Sequence, residues 1–143
     1  GAHLRQVLPD YDIVIDATDQ LENKFLINDV CVSAEKPFVH GGITGFSGQV
    51  MTYVPEKGPC YRCIFGEVPE DNAPAPIPVI GVTAGIIGTI QAAEAIRYLL
   101  GIPSLLTGKL LVLDGLRMQF RTVPFPHVSE HCPLHTRKGV TDL

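Results

Sequence analysis

The sequence has no surplus of positive charge: 11 Lys and Arg stand against 15 Asp and Glu, for a formal net charge of −4. Phosphate backbones are gripped by clustered Lys and Arg, so nucleic acid is not expected as the main partner. An apolar run long enough for a bilayer is also missing. The longest, residues 77–90, is broken by Pro78, Gly81, Gly85 and Gly88 and falls short of the roughly 20 residues that a spanning helix needs. No charged-then-apolar leader opens the chain, and no internal repeat or linker divides it. The expected setting is cytoplasmic, with no membrane partner. A disordered tail is excluded because 45% of the 143 residues are apolar and only 18% charged, with a mean hydropathy of +0.21. The length fits one domain. Within it, 14 Gly and 12 Pro indicate many tight turns.

The compact branched run at 12–16 (Asp-Ile-Val-Ile-Asp) predicts a strand buried on both faces. Asp19, with Glu22 three residues on, has the form of a capping box opening a helix over 20–34. Its apolar stripe is Ile27, Val30, Cys31 and Ala34, which makes Cys31 plain core, and Lys36-Pro37 stops it. Strands are expected over 38–43 and 49–54. The stretch 66–78, rich in proline and acids, reads as a mobile solvent-facing loop. A second helix is expected over 81–100, closed by Gly101. The segment 109–113 reads as a strand, Asp114-Gly115 as a two-residue hairpin turn, and 116–123 as its partner with Leu116, Met118 and Phe120 on a buried face.

Four cysteines beside five histidines fit a reduced compartment and a metal better than a disulfide framework. Cys60-Tyr-Arg-Cys63 offers two ligands across a two-residue gap, and Cys132-Pro-Leu-His135 repeats that gap near the C-terminus. Two such knuckles match a closed tetrahedral zinc site of Cys₃His type. Thiolates select zinc over magnesium or calcium, and an ion ligated wholly by protein is structural. It would pin the tail to the hairpin at Val50–Val54. One alternative is a redox pair at Cys60 and Cys63; such pairs sit at helix N-termini, and Pro59 with its loop predicts no helix there. Another leaves Cys132 and His135 as surface residues of a frayed tail. His131 is a possible substitute for His135, and His127 a weaker one.

Open α/β sheets bind ligands at the carboxyl ends of their strands, where Asp16, Thr18 and Asp19 fall. An acid there, beside a helix N-terminus, can hold Mg²⁺ and so organise a nucleoside triphosphate. The plainer reading makes Asp19 a helix cap and Asp16 structural.

In order along the chain come Asp16-Ala-Thr-Asp19, Lys24 and Asn28, Gly48-Gln49-Val50, Gly58-Pro-Cys-Tyr-Arg-Cys63, the run from Gly85 to Ile96, Leu113-Asp114 through Phe120-Arg121, and Cys132-Pro-Leu-His135. Together they resemble the ubiquitin-activating-enzyme-like adenylyltransferases of bacteria, the ThiF/MoeB/HesA family. The resemblance runs from Tyr11 to His135. It implies a Rossmann-like α/β sheet whose first half binds nucleotide, followed by mostly antiparallel strands and a structural zinc held by Cys60, Cys63, Cys132 and His135. Family members adenylate the C-terminal glycine of a small ubiquitin-like sulfur carrier and release pyrophosphate, towards thiamine or molybdopterin. By resemblance Asp19 acts on Mg-ATP as the catalytic residue, with Lys24 and Asn28 also on the nucleotide side.

Four departures qualify the match. Lys24 stands where the family usually has Arg, and Gln20 where it has Asn; Lys cannot reproduce a bidentate Arg contact. No G-x-G-x-x-G follows a strand, and Gly41-Gly42-Ile-Thr-Gly45 has the wrong spacing. The resemblance therefore implies that residues 1–143 are the C-terminal portion of one adenylyltransferase domain, inactive alone, with the nucleotide-binding half preceding it. Many relatives carry a cysteine in the loop before the second helix; Pro74 and Ala75 stand there instead, which favours transfer to an external sulfur donor. The glycine-rich start of that helix packs against a second subunit, as in family homodimers, or on its own sheet. The loop at 66–78 covers the carrier's tail or is an inert connection. The rival function is a non-catalytic, zinc-stabilised binding or dimerisation module. An ordinary dinucleotide oxidoreductase half fits less well, given the paired knuckles and the missing phosphate fingerprint.

Overall fold

A computed structural model describes residues 2–69, 76 and 78–135. Helix α1 (Ala2–Val7) runs into a 3-10 turn at Leu8–Asp10. Then follow β1 (Val14–Asp16), α2 (Leu21–Ser33), β2 (Phe38–Thr44), β3 (Ser47–Tyr53), α3 (Tyr61–Phe65), α4 (Gly81–Leu99), β4 (Lys109–Asp114) and β5 (Gln119–Pro124). The five strands form one sheet in chain order. β1 pairs with β2 in parallel, through Val14↔Phe38 and Asp16↔His40. Every later pair is antiparallel.

Period-two alternation splits the strands between two cores. Phe38, Met51, Tyr53 and Leu110 pack with Phe25, Val30 and Cys31 of α2 and with Tyr61 of α3. Their neighbours Val39, Val50 and Leu113 pack with Ile87 and Ala95 of α4. β2 is accordingly buried from Phe38 through Gly41. Cys31 is 0% exposed, as its place in the helical stripe predicts.

Two glycines let α4 lie close on the sheet. A Cβ on Gly48 would stand 2.4 Å from Ile87 Cγ1, and one on Gly41 would stand 2.3 Å from the Gln91 amide carbon. Glu94, 2% exposed, fastens the middle of α4: its carboxylate accepts from Thr52 Oγ1 at 2.7 Å, Leu106 N at 2.7 Å and Arg97. At the end of α4, Gly101 has φ 71° and donates to Tyr98 O while Ile102 donates to Arg97 O, a Schellman closure at the expected glycine.

Four expectations change. β1 is not buried on both faces, since Ile15 is 47% exposed. The N-cap of α2 is Gln20 rather than Asp19, and the Gln20 side chain makes no capping hydrogen bond to the helix, so Asp19 does not stand at the cap. Asp114 pairs with Gln119, leaving a loop of Gly115, Leu116, Arg117 and Met118 instead of a two-residue turn. Asp114 Oδ1 accepts from the amides of Leu116 and Arg117, which curls the chain past the tighter turn. Leu116, Met118 and Phe120 are 73%, 66% and 50% exposed, not buried. The helices lie over β1 to β3, and β5 is the far edge of the sheet. Most of the loop at 66–78, with Pro74 and Ala75, lies outside the described residues.

Candidate functional site

At the carboxyl end of β1, Asp16 is 1% exposed and its two oxygens divide their partners. Oδ1 faces the turn and accepts from Thr18 N at 3.0 Å and Thr18 Oγ1 at 2.7 Å. Oδ2 faces the interior and accepts from Lys24 Nζ at 3.2 Å and His40 Nδ1 at 2.9 Å. An ionised carboxylate only accepts, so the His40 proton sits on Nδ1 and its Nε2 accepts from Gln49 Nε2 at 3.2 Å. Lys24 Nζ also donates to Gly41 O at 2.7 Å, joining α2 to β2. From the other face Gln91 Nε2 donates to Asp16 O at 2.7 Å and Val39 O at 3.2 Å.

Burial works against the charge on Asp16. The His40 hydrogen bond, the Lys24 ammonium and the two Thr18 bonds outweigh it and lower its pKa to about 2. Burial also lowers the Lys24 pKa, against the pull of Asp16 and the more distant Asp19. His40, 0% exposed, is pushed below 6.5 chiefly by desolvation and stays neutral.

Asp19 is exposed on the turn that follows Thr18, one residue before the α2 N-cap. Lys24 lies behind that turn. Asn28 is drawn elsewhere: its Oδ1 accepts from Tyr61 N at 2.8 Å, fastening the first turn of α3 to α2. Two open hollows of about 690 and 470 Å³ lie at the opposite ends of the strands from Asp19, among Asp12, Lys36, Tyr98, Gly101 and Lys109.

The second cluster lies beside α3. Cys60 is the N-cap of this five-residue helix and Cys63 lies within it, so the reasoning that denied the pair a helix does not hold. What argues against a simple redox pair is the company. Cys60 Sγ stands 3.7 Å from both Cys63 Sγ and Cys132 Sγ, and all four cysteines are thiols. The donor atoms of Cys60, Cys63, Cys132 and His135 lie within 4.8 Å of one another, a group that could hold a metal ion. His135 Nε2 is buried with no hydrogen-bond partner among the described residues. An unsatisfied buried imidazole nitrogen beside three sulfurs fits a ligated cation. Hydrogen bonding from Cys60 pulls the Cys63 thiol down to about 5, while that same bond and burial push Cys60 up. His131 is exposed and outside this group.

Arg62 clamps the knuckle. Its Nε and Nη2 donate to the two oxygens of Asp29 at 2.6 and 2.8 Å, and its guanidinium lies 4.8 Å from the Phe25 ring centroid. Sequence reasoning missed Arg62, His40, Gln49 and Gln91 as partners of these sites. Arg62 lies between the two cysteines of the knuckle without being one of its ligands, and His40, Gln49 and Gln91 sit in strands or a helix whose pattern reports burial but no partner.

Fold and site first define a class: an α/β sheet with an acidic turn at a parallel strand's carboxyl end and a Cys₃His donor set joining two distant segments. The ThiF family pattern matches residues 2–134, and the chain belongs to the ThiF family. The SAMP-activating enzyme E1 of Haloferax volcanii is 40% identical over 148 residues, covering 99% of this chain and 53% of that protein. The adenylyltransferase and sulfurtransferase MOCS3 of Culex quinquefasciatus is 40% identical over 120 residues, covering 82% of this chain and 27% of that protein. The chain thus spans about half of the first relative's length and about a quarter of the second's. Escherichia coli MccB solved with succinimide shares the fold, with a TM-score of 0.74 over 93% of this chain and 41% of that one at 21% identity. MccB solved with ATP gives 0.71 over 91% and 42% at 20% identity.

The buried pair sets an acid dependence. His40 has a lowered folded pKa, so the unfolded chain takes up its proton first and stability falls as pH drops below about 6.5. Asp16 has a depressed pKa, so its contribution is present above 3.8 and is lost as pH falls through about 2. Between pH 7 and 5 the denaturation midpoint is expected to fall more steeply for the native sequence than for His40→Asn. Equal slopes would show that His40 is not held neutral.

Proposed function

We propose that this chain is the C-terminal portion of one adenylyltransferase domain. The whole protein uses ATP to adenylate the C-terminal glycine of a ubiquitin-like sulfur carrier, in a thiamine- or molybdopterin-type pathway in the cytoplasm. The observation that carries this reading is the exposed Asp19 carboxylate on a turn fixed at the carboxyl end of β1. Ligands of open α/β sheets gather at that edge. The names of the Haloferax and mosquito relatives, an activating enzyme E1 and an adenylyltransferase, support the same chemistry.

A carboxylate oxygen of the carrier attacks the α-phosphorus of ATP. The bond from that phosphorus to pyrophosphate breaks, and pyrophosphate leaves with the electron pair. Such a transfer asks the protein for position and charge rather than covalent help. Asp19 would hold Mg²⁺, which would supply countercharge to the phosphates. Lys24 keeps Gly41 and Asp16 in place, and Asn28 secures the neighbouring helix. The glycine-rich phosphate turn belongs to the preceding half, so residues 1–143 alone are inactive.

The Cys60, Cys63, Cys132 and His135 group holds one structural Zn²⁺, tying the tail to α3. The open apolar edge at Leu116, Met118 and Phe120 fits a docking face for the carrier. A second subunit packs on α4, where added Cβ atoms at Gly81, Gly85 and Gly88 would meet nothing within 4 Å among the described residues.

Two measurements bear on this. Elemental analysis of the full-length protein is expected to give one zinc per chain and markedly less after Cys60→Ser; unchanged zinc would remove the site. Asp19→Ala is expected to abolish carrier-dependent ATP–pyrophosphate exchange while the far-ultraviolet spectrum stays native. Retained exchange leaves Asp19 without a catalytic part and favours the non-catalytic binding module.

A further inference from the structure

We propose that Asp16 and Thr18 are positioning residues for Asp19: the buried carboxylate, clamped from behind by Lys24 and His40, holds the turn that presents the exposed, cation-binding acid. This inference rests on the adenylation reading for its consequence and on hydrogen-bond geometry for its substance. The residues between the end of β1 and the α2 N-cap lie in neither ladder nor helix. Asp16 Oδ1 takes both polar hydrogens of Thr18, its backbone N–H at 3.0 Å and its hydroxyl at 2.7 Å. Two bonds to one residue fix both its backbone and its side chain. Asp19 is the next residue.

The clamp behind Oδ1 spans four elements. Oδ2 is held by Lys24 of α2 and His40 of β2, His40 accepts from Gln49 of β3, and Lys24 reaches Gly41 O. Gln91 of α4 holds the Asp16 carbonyl from the opposite face. A buried ion pair of this kind adds little net stability, since desolvating two charges consumes most of their attraction. Its distinctive product is a fixed geometry. The carboxylate cannot rotate without abandoning one of four donors, so the Thr18 turn cannot drift. Displacing a reacting group by about 1 Å costs up to about a hundredfold in rate, which makes that fixity worth retaining at an acid serving a nucleotide.

The test uses Thr18, because its side chain is only half-buried and its replacement spares the interior cluster. In the full-length protein, Thr18→Val removes the hydroxyl donor and Thr18→Ser keeps it. Hydrogen exchange of the amides at 17–21 is expected to quicken in Thr18→Val, with the amides of β2 and β3 unchanged and Thr18→Ser close to native. Carrier-dependent ATP–pyrophosphate exchange is expected to lose about tenfold in kcat in Thr18→Val, with the KM for ATP within about twofold, and Thr18→Ser is expected to restore kcat. Unchanged hydrogen exchange in Thr18→Val would overturn the proposal, because the Thr18 hydroxyl then has no part in holding the turn. A loosened turn with undiminished kcat, where Asp19→Ala abolishes exchange, would overturn it too. If Asp19→Ala keeps full activity, the adenylation reading fails separately; hydrogen exchange, which involves no substrate, then decides whether Asp16 and Thr18 fix this turn.

Discussion

A carboxylate sealed from water at the end of a parallel strand is the constraint on which the rest of this edge depends. Asp16 is 1% exposed and ionised, and a charge in that position needs donors on every side. Those donors come from α2, β2 and the following turn, with β3 and α4 supporting them. Satisfying one charge thereby fixes the mutual placement of most of the elements that converge there. Gly41 follows from the same demand, because any Cβ at that position would collide with the Gln91 amide on its way to the Asp16 carbonyl.

The thiol cluster and the acidic edge are two ends of one packed unit. The His40 ring, bonded to Asp16, lies 4.6 Å from the Tyr61 ring, which in turn meets Phe25 edge to face and lies tilted against Phe65. Tyr61 opens α3, between Cys60 and Cys63, and its amide is held by Asn28 of α2. Helix α2 therefore serves both ends through side chains one turn apart, Lys24 towards the strand tips and Asn28 towards the cysteines. A five-residue helix gains little from its own hydrogen bonds. Asn28, the Arg62–Asp29 pair and the aromatic contacts hold α3 in place, and a bound cation would close the group.

How much of this was legible in the sequence follows from physical range. Strand and helix identities depend on local periodicity, and β2, β3, α2, α4 and the Gly101 closure all appear where their patterns place them. The Cys₃His group was legible because its two spacings are local, although their meeting is long-range. The errors arose where a local signal met a nonlocal competitor. The acid at 19 looked like a cap, but Asp16 captures the Thr18 amide and hydroxyl and the N-cap falls a residue later, at Gln20. Alternation in 116–123 suggested a buried face, but alternation reports only that two faces differ, and among the described residues no helix reaches the sheet edge to cover either. His40, Gln49 and Gln91 gave no warning, because a polar residue in an apolar strand or helix carries no mark of the partner it will meet.

The central claim is that the buried cluster presents Asp19 to a nucleotide-bound cation, and a crystal structure of the full-length protein with Mg²⁺ and a non-hydrolysable ATP analogue tests it most directly. The account predicts an Asp19 oxygen on the ion, directly at about 2.1 Å or through one of its waters. It also predicts that Asp16 remains bonded to Thr18, Lys24 and His40. A nucleotide bound with its cation on other residues, and Asp19 turned to open solvent, would contradict it.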